Sequence, residues 1–399
     1  MSTFLARQPI HDQHLSLFGY ELLSRPIETN PQPTFDGEAA TDAVMKKAFD
    51  EIGLDTLVGP NRAFINLTEK WVLSDHCHTL PKDRIVLEVL EHVPPSENVI
   101  SALKRFHDKG YVIALDDFVF HEDKVPLLKL ADIIKIDVLD KHPDYIKQQM
   151  DLVAPFKTKL LAERVESYDL YDSAKRWGFD LFQGYFFFQP GKVESTSLPN
   201  NQMTTLTLLS KLQDPNIDID DIDQIIKQDM SLSFKLLDYV NSAHFSLPQK
   251  VDSIPLAARL VGLNQIKNWT IMLSMVGVPN KPFELIVTSI VRATMTEQLA
   301  VAMGVADHEP YFTIGLFSVL DALFDMPLAN IIQHVPLSEE SQNALVFHEG
   351  MMGAALKCVL SYERGHWEGM NTLYLDPADI QQAYFDALRL TANLWSLFR

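Results

Sequence analysis

The sequence predicts two domains of different class, an α/β unit built on a parallel sheet or barrel and an all-α unit after it. Three observations carry that reading. The first half alternates short apolar runs with amphipathic stretches, the pattern of consecutive strand–helix units. Seven of those runs stop on a residue able to bind a metal or move a proton. The segment Gly191 to Asn201 (GKVESTSLPNN) lacks apolar periodicity and is rich in Ser, Thr, Pro and Asn, and the texture changes after it. At 399 residues the chain exceeds one ordinary core. The boundaries read from these features are 1–195 for the barrel, 196–202 for a linker and 203–399 for the helical domain.

In chain order, Phe18-Gly19-Tyr20 stops on Glu21, Phe64-Ile65 on Asn66, and Ile85-Val86-Leu87 on Glu88. Val112 to Leu115 stops on Asp116-Asp117, Ile133-Ile134 on Lys135, Leu160-Leu161-Ala162 on Glu163, and Leu181-Phe182 on Gln183. Buried parallel strands read as such continuous runs, and the polar residue at each carboxyl end then faces one shared mouth. Between them lie helical patterns at Thr41 to Gly53, Ser96 to Gly110, Leu127 to Ala131 and Asp169 to Gly178, with Ser at a start and Gly at the stops. The unit is shorter than the ~250 residues of a full eight-fold barrel, so trimmed or missing helices are expected. Beyond the linker, Met203 to Leu212, Ile222 to Lys227, Ser231 to Tyr239, Ile286 to Met303 and Pro377 to Leu397 read as helices punctuated by proline and glycine.

The net charge of −19 leaves neither half basic, which argues against binding of duplex DNA or RNA. Two distant cysteines, Cys77 and Cys358, argue for a reducing compartment. The first residues show no secretory signal, and no apolar run is read as reaching the ~20 residues that span a bilayer. The expectation is a cytoplasmic protein with no membrane partner.

The strand-end residues have a defined chemistry. Glu21, Asn66, Glu88 and Asp116 offer hard oxygen ligands suited to Mg²⁺ or Mn²⁺. Asp117 follows at once and can hold a second ion, and two ions clamp both oxygens of a phosphoester displacement. Lys135, with its pKa lowered by nearby ions, and Glu163 would orient and deprotonate a water. Arg25 could grip a phosphate with its planar fork.

These residues also carry a family resemblance. Glu21-Leu22-Leu23-Ser24-Arg25 resembles the Glu-Ala-Leu-x-Arg signature of EAL-domain phosphodiesterases, which hydrolyse cyclic di-GMP. Phe64-Ile65-Asn66-Leu67, Leu87 to Glu91, Leu115 to Phe118, Ile134 to Asp137, Ala162 to Glu166 and Gln183-Gly184-Tyr185 follow in the family's order. The resemblance implies a modified TIM barrel with one antiparallel strand, often paired as a homodimer. It implies Glu21, Asn66, Glu88 and Asp116 around the main metal and Asp117 at the second. It assigns Lys135 and Glu163 to the water, Gln183 to the metal–substrate region, Arg25 to the substrate phosphate, and linear pGpG as product.

The departures matter too. Leu22 stands for the alanine, Val119 for the glycine after Asp-Asp-Phe, and Arg164 for the glycine of Ala-Glu-Gly-Val-Glu. The loop Val119 to Pro126 lacks the Gly- and Ser-rich character of the loop that orders the second metal and couples to dimerisation, which Glu91 would anchor. Two readings follow: a cyclic di-GMP hydrolase, or a degenerate barrel that binds the nucleotide or serves as a protein scaffold.

In the second half, Ser231 to Ala243 and Ile254 to Gly262 resemble the HDOD domain, a helical relative of metal-dependent HD hydrolases. No His-Asp doublet occurs there, and His244, His308, His334, His348 and His366 are scattered. The domain is read as a non-catalytic regulatory module with a protein partner. Leu206, Leu209, Leu212 and Phe234, Leu237, Val240 are expected as core stripes. Trp269, Met272 and Met275 are read as core ahead of a partner surface.

Overall fold

The computed structural model describes residues 3–26, 37–191, 200–214, 216–242, 250–276, 278–279, 281–366, 370 and 373–394. They divide into two compact units. One is Met1–Gln189 with Ser361–Trp367, the other Pro190–Leu360 with Glu368–Arg399.

Eight strands close the first unit into a barrel in sequence order. They are β1 (Thr3–Asp12), β2 (Leu17–Pro26), β3 (Arg62–Leu67), β4 (Ile85–Val89), β5 (Val112–Leu115), β6 (Ile133–Asp137), β7 (Lys159–Glu163) and β8 (Leu181–Gln183). β2 through β8 pair in parallel, whereas β1 runs antiparallel to both β2 and β8. The cause is local. Asp12 Oδ1 accepts from the amides of His14 (2.8 Å) and Ser16 (2.9 Å), and Leu15 turns at φ 62°. So short a hairpin cannot make the crossover that parallel strands need. All seven runs read from the sequence are strands; β1 is the one not singled out. Arg7 and His11 interrupt its apolar pattern, yet both are buried. Arg7 donates to the Leu57 carbonyl and lies 4.3 Å from the centre of the Tyr20 ring.

The barrel interior is layered. Ile10, Phe64, Val86, Ala114, Ile133, Leu161 and Leu181 form one buried apolar cluster. Side chains on a strand alternate between faces, so the residue two positions on points the same way. Two positions beyond these residues on β3 to β8 stand Asn66, Glu88, Asp116, Lys135, Glu163 and Gln183, and two positions back on antiparallel β1 stands Gln8. The apolar layer is therefore the floor of a polar one.

The expected helices form with shifted ends. Gly37–Lys46 continues into a π turn at Lys47–Glu51. Ser96 caps Glu97–Asp108 by accepting from the Val99 amide, and Ser167 caps Tyr168–Trp177. The helix between β5 and β6 is only Val125–Leu128, one of the trimmed helices expected.

The second unit is helical throughout its described residues. An Asp218/Asp221 capping box starts Ile219–Lys227, and Asp229 caps Met230–Val240. Phe283–Ala302 is buried along nearly its whole length and forms the centre of the unit. Leu206, Leu209 and Leu212 are in the core, as are Trp269, Met272 and Met275. The second expected stripe is corrected: Phe234 is 71% exposed, and the buried positions of that helix are Leu232, Leu236, Tyr239 and Val240. Packing of Leu232, Leu236, Tyr239 and Val240 sets the inward face, and Leu237 falls only half inside. His308 pairs with Glu297 at 3.0 Å, His334 and His366 are exposed, and His244 lies outside the described residues. The expectation that no segment reaches membrane-crossing length is also corrected. Phe283–Ala302 and Glu339–Glu363 pass by length and composition, with 78% and 44% of the respective windows buried. A core helix passes the same test, and Phe283–Ala302 carries buried Glu284 and Arg292.

Candidate metal centre at the barrel mouth

The polar layer converges on Lys135. Its Nζ lies 2.7 Å from Glu163 Oε1, 2.8 Å from Asp116 Oδ1 and 3.2 Å from Glu21 Oε2, and it also bonds Glu88 Oε1. Asn66 Nδ2 donates to Glu21 Oε1 (2.8 Å), and Gln183 Nε2 donates to Glu21 Oε2 (2.7 Å) and to Gln8 Oε1 (2.9 Å). Residues 162 positions apart thus meet on one carboxylate.

Lys135 is 1% exposed and Glu88 fully buried. Were all four carboxylates ionised against one ammonium, the local charge would be −4 + 1 = −3. Burial at that charge is costly, and the protonation equilibria respond. Burial, then the charge of Glu21, pushes Glu88 well above the usual carboxylate range, against Lys135. Burial pushes Glu163 up to about 8, with Asp116 and Glu21 adding to it and Lys135 opposing. Burial also works to raise Asp116, but Lys135 and a hydrogen bond with Glu88 hold it below its ordinary value. For Lys135 burial disfavours the charge, but Glu163, Glu21, Glu88 and Asp116 together raise its pKa well above that of a free lysine.

The donor set fits a divalent cation. Asn66 Oδ1, Glu88 Oε2, Glu163 Oε2 and Gln183 Oε1 are buried and lack a hydrogen-bond partner. All four are oxygens, the type a hard cation takes, and buried polar atoms are otherwise rarely left unpaired. At the rim, Glu91, Asp116 and Asp117 place ligand oxygens within 4.8 Å of one another. Asp117 sits at φ 41° and Arg164 at φ 56°, both in the left-handed region that non-glycine residues seldom occupy. Arg164 donates to Asp137 Oδ2 at 3.0 Å. Gly184, next to Gln183, could carry no side chain, because a Cβ there would lie 2.0 Å from the Val165 carbonyl oxygen.

The structure thus brings Glu21, Asn66, Glu88, Asp116, Lys135, Glu163 and Gln183 together, with Asp117 at the rim. Arg25 pairs with Phe4 in the β1–β2 register, and its side chain lies outside the described residues. In the altered loop, the Phe120 amide donates to Gln149 Oε1 (2.9 Å), and Lys124 donates to the backbone carbonyl of Glu91 (3.4 Å). Sequence reasoning missed a groove of about 200 Å³ beside Asn66, lined by Leu22, Ser24, Thr41, Leu90, Arg364 and Gly365, all of the barrel unit. Arg364 lies 5.6 Å from the Tyr185 ring centre. No local motif marks Arg364, so only the folded chain brings it here.

A closed barrel with carboxylates, amides and one lysine at the carboxyl ends of its strands defines the class. Residues 60–190 match the EAL domain model, and residues 198–336 match the HDOD domain model. The chain is 33% identical over 405 residues to an uncharacterised protein, YuxH, of Bacillus subtilis, covering 99% of each. It is 30% identical to the cyclic di-GMP phosphodiesterase CdgJ of Vibrio cholerae, covering 98% of this chain and 93% of that one. It is also similar to the Bacillus subtilis YkuI protein, solved with cyclic di-GMP and calcium, at 20% identity and a TM-score of 0.38, over 57% of this chain and 70% of that one. The chain belongs to the family of two-domain EAL–HDOD proteins that includes YuxH and CdgJ.

Proposed function

We propose that this chain is a divalent-metal-dependent phosphodiesterase that opens cyclic di-GMP to linear pGpG. The observation that carries the reading is the polar layer, with its four unpaired buried oxygens around one lysine. The likeness to CdgJ over nearly its whole length supports the substrate.

Glu21, Asn66, Glu88 and Asp116 would hold the main ion, Mg²⁺ or Mn²⁺, and Asp117 a second beside Glu91. Bound there, the ions supply Lewis acidity to a phosphate oxygen and to water. Lys135 and Glu163, 2.7 Å apart, would orient the attacking water, Lys135 as donor and Glu163, in its ionised form, as the group that takes the water's proton. Water adds to phosphorus, the bond to the bridging sugar oxygen breaks, and that oxygen leaves as a hydroxyl after gaining a proton. Arg25 would contact the phosphate, and Gln183 would keep Glu21 oriented while facing the substrate with its free oxygen.

Incubation of the purified chain with cyclic di-GMP and Mn²⁺ should yield pGpG, and Glu21→Ala should abolish it. Absence of turnover at high enzyme concentration would sink the hydrolase. The Arg164–Asp137 pair and the strained Asp117 favour a second reading, a barrel that binds cyclic di-GMP without cutting it or acts as a scaffold. Calorimetry separates these, since a receptor binds without turnover and a scaffold does not bind. In either case the proposal has a cytoplasmic protein of domains 1–195 and 203–399 joined by 196–202. Its HDOD part would be non-catalytic and engage a protein partner, and a homodimer would form through the barrel.

A further inference from the structure

The helical unit contains a cleft that the proposed chemistry does not use. Its volume is about 570 Å³, within the ~300–1,000 Å³ range of small-molecule sites. Helices Leu263–Val276, Phe283–Ala302 and Pro377–Leu394 each present residues at helical spacing: Gln265, Asn268, Trp269 and Met272 from the first, Thr294, Glu297 and Gln298 from the second, Asp386, Arg389 and Leu390 from the third. Phe312 closes one wall.

Two features point to a ligand. Asn268 is 7% exposed and Thr294 6%. Both line the cleft, yet Asn268 Oδ1 and Thr294 Oγ1 have no hydrogen-bond partner. Leaving such atoms unpaired costs on the order of 1–3 kcal/mol each, and two of them, on cleft-lining residues of adjoining helices, offer acceptors to a ligand that enters. The charges then select the ligand. Glu297 and Asp386 outnumber Arg389, whose guanidinium is already 2.6 Å from Asp386. An anion is disfavoured, and a group bringing N–H donors is favoured. Trp269, Met272 and Phe312 supply broad, polarisable walls suited to a flat ring.

We infer that this cleft binds a neutral or cationic planar heterocycle of nucleobase size, whose amino or ring N–H edge donates to Asn268 Oδ1 and Thr294 Oγ1. The site stands apart from the barrel chemistry and does not depend on it.

The test uses the full chain and three fragments followed by ligand-observed NMR: 2-aminobenzimidazole, benzimidazole without the amine, and benzoate. 2-Aminobenzimidazole should bind saturably, benzimidazole about tenfold more weakly, as expected for one lost hydrogen bond of about 1.4 kcal/mol, and benzoate not at all. Asn268→Leu should weaken 2-aminobenzimidazole about tenfold. Should that variant fail to fold, Asn268→Asp, which keeps an acceptor, should bind the fragment at least as well as the wild type. No saturable binding to the folded wild type, equal binding of benzoate, Asn268→Leu without effect, or lost binding in a folded Asn268→Asp would each overturn the inference.

Discussion

The barrel mouth and the helical cleft both set polar side chains against apolar ones, but they do so by different rules. At the mouth each strand contributes one residue, and period-two alternation stacks that residue on its own apolar neighbour, as Glu88 stands on Val86 and Lys135 on Ile133. Four carboxylates then compete for one ammonium. In the cleft, three helices each contribute several residues at i, i+3 and i+4 spacing, and the ion pairs are local: Glu297 with His308, Asp386 with Arg389. Concentrated charge marks the first as a site for cations; unpaired neutral acceptors mark the second as a site for donors.

The largest effect should come from Lys135→Met, which removes the shared cation while keeping the volume. Breaking a buried ion pair costs about 3–5 kcal/mol, so denaturant unfolding should show a loss of that order, and Mn²⁺ should recover part of it. A variant as stable as the wild type would break the contrast between the two regions. The helical core offers a matching pair. Leu236→Ala should cost about 2–5 kcal/mol, whereas Phe234→Ser, at a side chain 71% exposed, should stay within about 0.5 kcal/mol. Equal losses in urea melts would refute the assigned helix phase.

His11 sharpens the comparison through pH. It is fully buried, neither ring nitrogen has a hydrogen-bond partner, and it packs 4.6 Å from the Phe187 ring centre. Burial lowers its pKa from 6.5 to about 4, against the charge of Asp12. A lowered histidine pKa means that the unfolded chain binds the extra proton, so stability is complete above pH 6.5 and falls as pH drops toward 4. The shift is worth about 3 kcal/mol across that window. His11→Phe should remove this component, so its stability relative to the wild type should rise on going from pH 7 to pH 4.5. A pH-independent difference would count against the buried neutral ring.

A small effect on stability is expected in Arg164→Gly. Glycine relieves left-handed backbone strain of about 1–2 kcal/mol, and loss of a pair whose arginine side chain is 58% exposed costs at most about 1 kcal/mol. The net should be a stabilisation of between about 0 and 2 kcal/mol on unfolding. If this arginine restrains the rim, kcat should rise while KM holds, whereas unchanged kcat would remove Arg164 from the account of the altered site.

Much of the barrel site could be read in advance because each ligand ends its own strand. A short apolar run declares the strand, and its last residue declares the mouth. β1 escaped because its antiparallel course lets polar residues face barrel neighbours, with Arg7 satisfied by a carbonyl distant in sequence. Phe234 was misplaced because Leu, Phe and Val around it allow two helix phases, and only the packing of Leu232 and Leu236 chooses between them. Arg364 and Asn268, with its unpartnered Oδ1, carry no local signature.

What the amino-acid order alone determined is the class of each half and the chemical kind of residue at each strand end, because strand and helix periods are local properties of the chain. What only the folded molecule decided is which carboxylates share Lys135, how burial and neighbouring charge shift their hold on protons, and which buried oxygens are left without a partner. Those depend on distances between residues far apart in sequence and on the water that folding removes from around them.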